Sequence, residues 1–283
     1  MTQTLPKVTI TIPTLNSAKS LGVCLNAIRK QSYRNIEVSI VDSYSTDDTV
    51  AEAKRYGVIN IYFCKGGLLG SRLLGIRKAK GSYVLLLDSD QILTKQSIAT
   101  CVELCKRQGR DMVALEEDVY ECANWLQWLF KMDRKVINTV NNLDPETGVI
   151  LPRFFRKNIL LKAANAIPQD IVNSVGGPDH AILYYESRKL SKNVAVAKNA
   201  VRHMETRSLA EFMKKCYRWG YTSYTAKTVS KYSSLMRRKE RFRTGLFKKG
   251  LLVASFASLV LLVLKGIPYK IGYAVARMKG AYR

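Results

Sequence analysis

Two carboxylates follow an apolar run at positions 83–91, where the sequence reads YVLLLDSDQ. The residues from Tyr83 to Leu87 carry no charge, and Asp88 and Asp90 then come one serine apart. An apolar run bounded by a turn signal is typical of a buried strand, so both carboxylates are expected where that strand leaves the core. Carboxylates this close repel each other unless a cation neutralises them, and oxygen ligands suit a hard divalent cation. The spacing therefore indicates a metal-phosphate site.

A purely structural interpretation also fits these residues, namely a polar turn in which Asp90 caps a helix before Lys95. The ends of two other predicted strands help to decide between the metal site and the structural turn. PTLN at 13–16 follows the first strand, and Asp42-Ser43 follows the second. Because open α/β sheets bind ligands at the carboxyl ends of their strands, this convergence of polar groups favours a ligand site.

The elements that would position these residues alternate between strand-like and helix-like patterns from Lys7 to about Asp111. The strand-like segments are KVTITIP, IEVSIVD, VINIYFC and YVLLLD, and the helix-like segments are SAKSLGVCLNAIRKQ, TDDTVAEAKRYG and GLLGSRLLGIRKAKG. This order predicts an α/β, Rossmann-like fold with a central, mostly parallel sheet. Further strands are expected at DMVALEEDVY and GVILPRFFRK. The stretch NWLQWLF between them fits a packed helix face better than a lipid or sugar platform.

Composition limits the partners and the compartment. The 283 residues carry a formal net charge of +24, which implies a partner with phosphates, either nucleic acid, a nucleotide substrate or an anionic membrane. The six cysteines form no CxxC pair, so free thiols in a reducing compartment are expected. No signal-peptide pattern opens the chain, and the N-terminal domain is therefore expected to stay in the cytoplasm.

The C-terminal segment combines a basic run with an apolar run. Residues 231–249 hold eight basic residues against one acidic, and GLLVASFASLVLLVL at 250–264 follows directly. Fifteen uncharged residues make a helix of about 22 Å, shorter than the roughly 30 Å hydrocarbon core. Lys265, Gly266 and Pro268 are expected to interrupt it. The pattern predicts a peripheral or monotopic anchor that dips into or lies on one leaflet, with a single marginal span and a buried core helix as alternatives.

Taken in order, the motifs resemble those of the family 2 glycosyltransferases with the GT-A fold. The resemblance rests on PTLN at 13–16, IVDSYSTDDT at 40–49, the arginine of GSRLLGI at 70–76 and LDSD at 87–90. It covers roughly residues 7 to 220. Enzymes of this family use a nucleotide-sugar donor, so the resemblance implies a GT-A nucleotide-sugar-binding domain.

The resemblance implies a catalytic domain over residues 1–220, and residues 221–283 are expected to form a helical membrane-association region. Asp90 is implied as the main protein ligand to Mn²⁺ or Mg²⁺. His203 corresponds to a histidine that completes the metal or diphosphate site in some members, and a structural role is the alternative. A bridging cation would stabilise the charge on the leaving diphosphate. The residues implied to bind the nucleotide sugar are Pro13, Thr14, Asn16, Asp42, Arg72, Asp88, Ser89, Arg218 and Trp219.

Two stretches depart from the family pattern. In GGPDHAI at 176–182 a proline replaces the glutamate of the family's Glu-Asp pair. Asp179 would be the general base that deprotonates an acceptor hydroxyl, or else only a first-turn carboxylate. KCYRW at 215–219 carries lysine where the family's Q-x-x-R-W box has glutamine. In that box Arg218 would help to hold the diphosphate, and Trp219 would close the acceptor side.

The resemblance implies an inverting transferase, in which the acceptor oxygen attacks the anomeric carbon opposite the departing diphosphate. The basic excess and the apolar tail indicate a lipid-linked acceptor, polyprenyl or dolichyl, at the cytoplasmic face of the membrane. The layout also resembles dolichyl-phosphate mannose synthase-like enzymes with a membrane-bound C-terminus, so mannose from GDP-mannose is the preferred donor. A UDP-sugar (glucosyl or GlcNAc) is the alternative, because Asp42 suits either uracil or guanine. The alternative from another class is a non-catalytic protein that binds nucleic acid or anionic lipid. No nucleic-acid-reading module is recognisable, so no nucleic-acid partner is expected.

Overall fold

The computed structural model of the chain describes residues 5–173, 175, 178–228, 230–239 and 250–281. The alternating strands and helices predicted for the N-terminal part are all confirmed. In chain order the described elements are β1 (Val8–Thr14), α1 (Ala18–Arg29), β2 (Ile36–Asp42), α2 (Thr49–Arg55), β3 (Asn60–Phe63), α3 (Gly67–Lys78), β4 (Tyr83–Leu86), β5 (Gln91–Leu93), α4 (Ser97–Arg107), β6 (Met112–Val119), α5 (Trp125–Val140), β7 (Pro152–Arg156), α6 (Lys157–Asn165), α7 (Asp179–Leu190), β8 (Val194–His203), α8 (Leu209–Thr228), α9 (Ser230–Lys239) and α10 (Leu252–Ala281).

One mixed sheet contains all of these strands, in the order β3-β2-β1-β4-β7-β6-β8-β5. The first four strands of that order run parallel, and so do β6 and β8. β7 is antiparallel to both of its neighbours, and β5 is antiparallel to β8. The predicted α/β fold with a mostly parallel sheet is therefore confirmed. The β5–β8 pairing sets Gln91 opposite His203, which brings the end of β8 next to the Asp-Ser-Asp turn.

Close packing of α3 on β1 fixes the position of the residues at the sheet edge. All seven residues of β1 are buried, and α3 lies against β1 and β2. A Cβ atom at Gly75 of α3 would collide with the side chain of Thr11 in β1, so only glycine allows this approach. Arg72 lies one turn before Gly75 and is carried to the carboxyl ends of the strands.

The C-terminal helices differ from the prediction. α10 runs from Leu252 to Ala281 without a break, so the expected interruption at Lys265, Gly266 and Pro268 is wrong. Proline removes one helical hydrogen bond, but the packing of α10 along α8 and α5 compensates for that loss. α8 passes straight through residue 220, where the domain boundary was predicted. Of the predicted basic run, residues 240–249 lie outside the described part of the chain.

The tryptophans of α5 also depart from the expectation of a packed face. Trp125 and Trp128 are exposed, whereas Leu126 and Leu129 are buried against α8 and α10. The buried face of α5 continues through Asp133 and Val136, and this helical spacing leaves the tryptophans on the other side. All six cysteines are free thiols, and the buried ones are Cys24, Cys101, Cys105 and Cys216.

Candidate active site

The carboxyl ends of β1, β2 and β4 meet at one edge of the sheet. Thr14 and Asp42 are register partners at the ends of β1 and β2, and Pro13 is buried in the same strand as Thr14. Asp88 follows β4, which pairs with the other side of β1. In the Asp-Ser-Asp turn, Ser89 Oγ donates to a hydroxyl of the loop after β1 at 3.1 Å. The residues predicted from three separate strand ends therefore lie at a common rim.

Hydrogen bonds tie the loops after β1 and β2 together. Asp42 is fully buried, and its Oδ2 accepts from Thr14 Oγ1 at 2.7 Å and from Ser45 Oγ at 2.6 Å. Asn16 adopts a left-handed φ of 51°, which asparagine tolerates, and its Oδ1 accepts from the Thr46 amide at 2.9 Å. Thr14 and Asn16 thus shape the loops, and a contact between Asp42 and a nucleotide base stays a prediction.

A buried arginine joins two of the predicted acidic residues. Arg72 is 1% exposed, and its Nη2 donates to Asp88 Oδ1 while its Nε donates to Asp179 Oδ2. The sequence predicted Arg72 on the nucleotide side of the cleft. The structure places it between the turn after β4 and the first residue of α7, where it pairs with both carboxylates, and its contact with a nucleotide stays a prediction. A buried charge needs such pairing, because an uncompensated one is costly.

A second arginine holds the other oxygen of Asp88. Arg153 Nη1 on β7 lies 2.9 Å from Asp88 Oδ2 and 2.7 Å from His180 Nε2. Burial alone would raise the pKa of Asp88, but Arg72 and Arg153 outweigh it and hold that pKa well below its usual range. Burial, together with the same two arginines, lowers the pKa of His180. Asp88 is thus an anchored anion with both oxygens engaged by protein groups.

From Arg153 a chain of ion pairs continues under the sheet edge toward the end of β8. Arg153 Nε lies 3.1 Å from Glu117 Oε1, and Gln91 Nε2 donates to the same oxygen at 2.8 Å. Arg134 Nη1 of α5 lies 2.9 Å from the other oxygen of Glu117, and its Nη2 lies 3.0 Å from Glu205 Oε1. Burial alone would raise the pKa of Glu117, but Arg134 and Arg153 lower it, so these alternating charges compensate one another.

The chain ends at His203 and Asp90. His203 Nδ1 lies 3.3 Å from Glu205 Oε1, and its Nε2 lies 3.5 Å from Asp90 Oδ1. Burial alone would lower the pKa of His203, but Asp90 and Glu205 outweigh it and raise that pKa to about 9. The two aspartates of the Asp-Ser-Asp turn are therefore connected through a continuous set of partly buried charges.

Asp90 and His203 fit a divalent cation. They present one carboxylate and one imidazole, a combination that Mn²⁺ accepts, and Glu205 Oε1 lies 3.3 Å from the other ring nitrogen, on the side where carboxylates stand behind metal-bound histidines. The described residues contain no group of three or more His, Cys, Asp or Glu that could hold an ion. A cation at this position would thus take its remaining ligands from outside the chain, and the oxygens of a nucleoside diphosphate suit that role.

Helix α8 brings basic and aromatic groups to the same place. Lys215 Nζ lies 3.8 Å from Asp90 Oδ2 and 5.2 Å from the centre of the Trp219 ring. Lys265 of α10 contacts the same ring at 5.3 Å. Arg218 is exposed on α8, and in the part of the chain that the structure describes it makes no ion pair with the aspartates of the site. The lysine that replaces the glutamine of the predicted box is therefore the member of α8 closest to Asp90.

Arg153, Glu117, Arg134 and Glu205 were not found from the sequence. Each pairs with a residue that is distant in the sequence, so local sequence patterns do not predict the pairing. One signal was available: Arg153 and Glu117 lie in strands that also hold buried apolar residues, and a charge that is taken out of water there needs a partner.

Comparison with solved structures agrees with this architecture. Staphylococcus aureus TarS (residues 1–349) in complex with UDP superposes with a TM-score of 0.58 at 16% identity, covering 98% of this chain and 92% of that one. A mannosyltransferase from Pyrobaculum calidifontis, PcManGT, in complex with GDP-Man and Mn²⁺, gives a TM-score of 0.56 at 18% identity, covering 98% of this chain and 80% of that one. At such identities the likeness shows a shared fold.

Sequence comparison identifies relatives and a family. Glycosyltransferase AglE of Haloferax volcanii is 26% identical over 78% of this chain and 74% of its own length. Glycosyltransferase GlyG of Streptococcus pneumoniae is 32% identical, but the match spans only 38% of this chain and 37% of GlyG. The family described as "Glycosyl transferase family 2" matches residues 9–164, which is more than half of the chain. The chain therefore belongs to glycosyl transferase family 2.

Proposed function

We propose that this glycosyltransferase is inverting and metal-dependent, and that it transfers a sugar to a lipid-linked acceptor at the cytoplasmic face of a membrane. The observation that carries the proposal is the geometry around the Asp-Ser-Asp turn. Asp90 faces His203 and Lys215 at the rim of the sheet, while Arg72 fixes Asp179 on the other side of Asp88. Ligands for a cation and a candidate base thus flank the same turn.

The residues on the Asp90 side would bind the leaving diphosphate. Asp90 and His203 would hold the cation, which when bound supplies positive charge to the phosphate oxygens. Lys215 Nζ, 3.8 Å from Asp90, would contribute a second positive charge there. These groups are held by the ion-pair chain before any substrate arrives, and such preorganised charges stabilise a developing anion most effectively.

Asp179 would act on the acceptor. It is buried at the start of α7, and Arg72 holds it through Oδ2, so its orientation is set by the protein. With a hydroxyl acceptor, Asp179 would accept the proton of the attacking oxygen. A lipid phosphate is already an anionic nucleophile, and in that case the basic groups around Trp219 would matter more than the base.

For the donor we propose mannose from GDP-mannose, and a UDP-sugar is the second candidate. PcManGT carries GDP-Man together with Mn²⁺ in its solved structure, which supports the first. TarS was solved with UDP and with UDP-GlcNAc, which supports the second. The chemistry of Asp42 accommodates the hydrogen-bond donors of either base.

The membrane part of the proposal is supported by α10. Residues Leu252–Gly280 form a helix long and apolar enough to cross a membrane, although a core helix of a soluble protein can have the same length and composition. The chain also carries a net charge of +24, which complements anionic headgroups.

Nucleoside diphosphate release tests the proposal. Purified protein would be given GDP- and UDP-sugars in turn, with Mn²⁺ or Mg²⁺ and a membrane lipid extract. We expect release from one donor that requires both metal and lipid, and a loss of about a hundredfold or more in Asp90→Ala. Glu103→Ala, which removes an exposed carboxylate on α4, is the matched control and should leave the rate unchanged. Metal-independent release, or equal rates in both variants, would contradict the proposal.

A further inference from the structure

Helix α10 leaves one apolar face uncovered. Seven of its large apolar side chains are more than half exposed, although they belong to a long helix packed on the body of the protein. Their spacing follows the helical repeat, so they form one continuous stripe along the helix. We call these residues the α10 stripe: Leu252, Val253, Phe256, Val263, Ile267, Ile271 and Met278.

The opposite face of α10 is fixed to α8 by contact between the two backbones. A Cβ atom at Gly220 of α8 would collide with the carbonyl oxygen of Tyr269, and one at Gly272 of α10 would collide with that of Tyr217. Glycine at both positions therefore brings the helices together more closely than any side chain would allow. Ala257 and Leu261 extend the buried face of α10 toward α5 and α8.

This attachment decides how α10 can meet a bilayer. A helix of 30 residues is about 45 Å long, and the hydrocarbon core is roughly 30 Å thick. If α10 crossed the core, α8 would have to enter it as well, because the two are in backbone contact. α8 carries Glu211, Lys214 and Arg218 on exposed positions, and such charges are costly inside hydrocarbon.

The charged residues of α10 indicate which partner covers the α10 stripe. α10 contains four basic residues and no acidic one, and the exposed basic residues Lys270, Arg277 and Lys279 accompany the C-terminal half of the stripe. Basic groups beside an apolar helix face suit an anionic leaflet, with the apolar side chains at the boundary between headgroups and acyl chains.

We propose that α10 lies parallel to the plane of an anionic phospholipid bilayer, with the α10 stripe in one leaflet and without crossing it. This inference rests on the proposed function in that the enzyme works at a membrane. Beyond that function, it identifies the surface that contacts the membrane and the orientation of the catalytic domain relative to the membrane. Lys265 lies on the face of α10 opposite the stripe and contacts Trp219, and Lys215 connects that ring to Asp90, so the rim that holds Asp90 lies behind α10, about 10 Å (one helix diameter) from the leaflet.

Vesicle binding is the first test. The full chain would be mixed with vesicles of phosphatidylcholine alone or with 30% phosphatidylglycerol (roughly a third anionic lipid), and bound protein measured by co-sedimentation. We expect binding to the anionic vesicles and a drop of more than about tenfold in Phe256→Glu/Ile267→Glu. Ile59→Glu is the matched control, because Ile59 is 90% exposed on the sheet domain and should not affect binding.

Depth measurements separate a parallel helix from a spanning one. Nitroxide labels would be placed at residues 256, 267 and 278 in the Cys122→Ser background, and their depth measured in the same vesicles. Residues 256 and 278 are about 33 Å apart along the helix. A parallel α10 gives three similar, shallow depths of about 5–10 Å. A label at 267 in the bilayer centre, with the other two at opposite interfaces, would overturn the proposal.

Two further outcomes are informative. Unchanged vesicle binding in the double glutamate variant would overturn the inference. So would a dimer in solution that the same variant dissociates while lipid binding stays absent, because a second copy would then cover the stripe. If vesicle binding and the label depths agree with a parallel helix but no donor is hydrolysed, the proposed reaction is wrong. The assignment of the α10 stripe as a membrane-binding surface would then remain.

Discussion

The edge of the sheet and the C-terminal helical layer are held together in opposite ways. At the sheet edge, Arg72, Arg153 and Arg134 are paired with buried or partly buried carboxylates, and the groups come from seven separate elements and loops. In the helical layer, α8 and α10 meet through glycines and apolar side chains. Charge pairs fix the orientation of side chains, but removing one partner leaves an unpaired charge. Close helix contacts are instead disrupted when a group is added between the two backbones. The first arrangement suits catalysis, and the second suits a rigid platform under a membrane.

The largest effect is expected from removing the charge at the centre of the site. Arg72→Met leaves the buried Asp179 without its arginine and Asp88 with Arg153 alone, so we expect the free energy of unfolding to fall by about 3–5 kcal/mol. Urea unfolding followed by circular dichroism measures this. Arg107→Met removes an exposed arginine paired with Glu103 at 2.9 Å and should cost at most about 1 kcal/mol.

A second substitution shows whether the loss comes from unpaired charge. In the Arg72→Met background, Asp179→Asn removes the carboxylate that has lost its arginine and should recover part of the lost stability. If Arg72→Met costs no more than Arg107→Met, the pairing described for Arg72 does not contribute to the folded state.

The helical layer is tested by one substitution at two glycines. Gly220→Ala adds a methyl group where α8 touches the Tyr269 carbonyl, and we expect a loss of about 1–3 kcal/mol from overpacking. Gly266→Ala adds the same group on α10, where no atom lies within 4 Å, and should stabilise the helix by up to about 1 kcal/mol. Opposite signs in urea unfolding are the expected result. Equal shifts would show that α8 and α10 do not pack this closely in solution.

The same contrast explains which features could be predicted from the sequence. β1 to β4 and the helices between them follow local apolar periodicity, so their order and the strand-end position of Asp88 were accessible. The placement of His203 beside Asp90 depends on β8 returning next to β5, which the sequence suggested only through the family resemblance. Arg153 and Glu117 pair across the sheet, and no local pattern encodes which distant charge will meet which.

The helical layer was misjudged for a different reason. Lys265, Gly266 and Pro268 are unfavourable in an isolated helix, so a break in the apolar segment was expected. In the structure α10 packs along α8 and α5, and these tertiary contacts outweigh the local preference. Residues that are poor helix formers alone are thus retained within a long helix. α10 has 30 residues, twice the length of the apolar run at 250–264 from which a helix was predicted.

The smallest effect concerns a residue that acts through His203. Glu205 faces the Nδ1 side of the imidazole, and Arg134 holds Glu205 in turn. Glu205→Gln keeps a hydrogen-bond acceptor there but removes the charge that strengthens the ring as a ligand, so Mn²⁺ affinity should fall about tenfold. The measurement is a titration of Mn²⁺ followed by electron paramagnetic resonance, with the nucleoside diphosphate that the donor assay identifies. Glu121→Gln, at an exposed pair with Arg207, is the matched control. Unchanged Mn²⁺ affinity in Glu205→Gln would mean that the ion-pair chain stabilises the fold alone and does not orient a metal ligand.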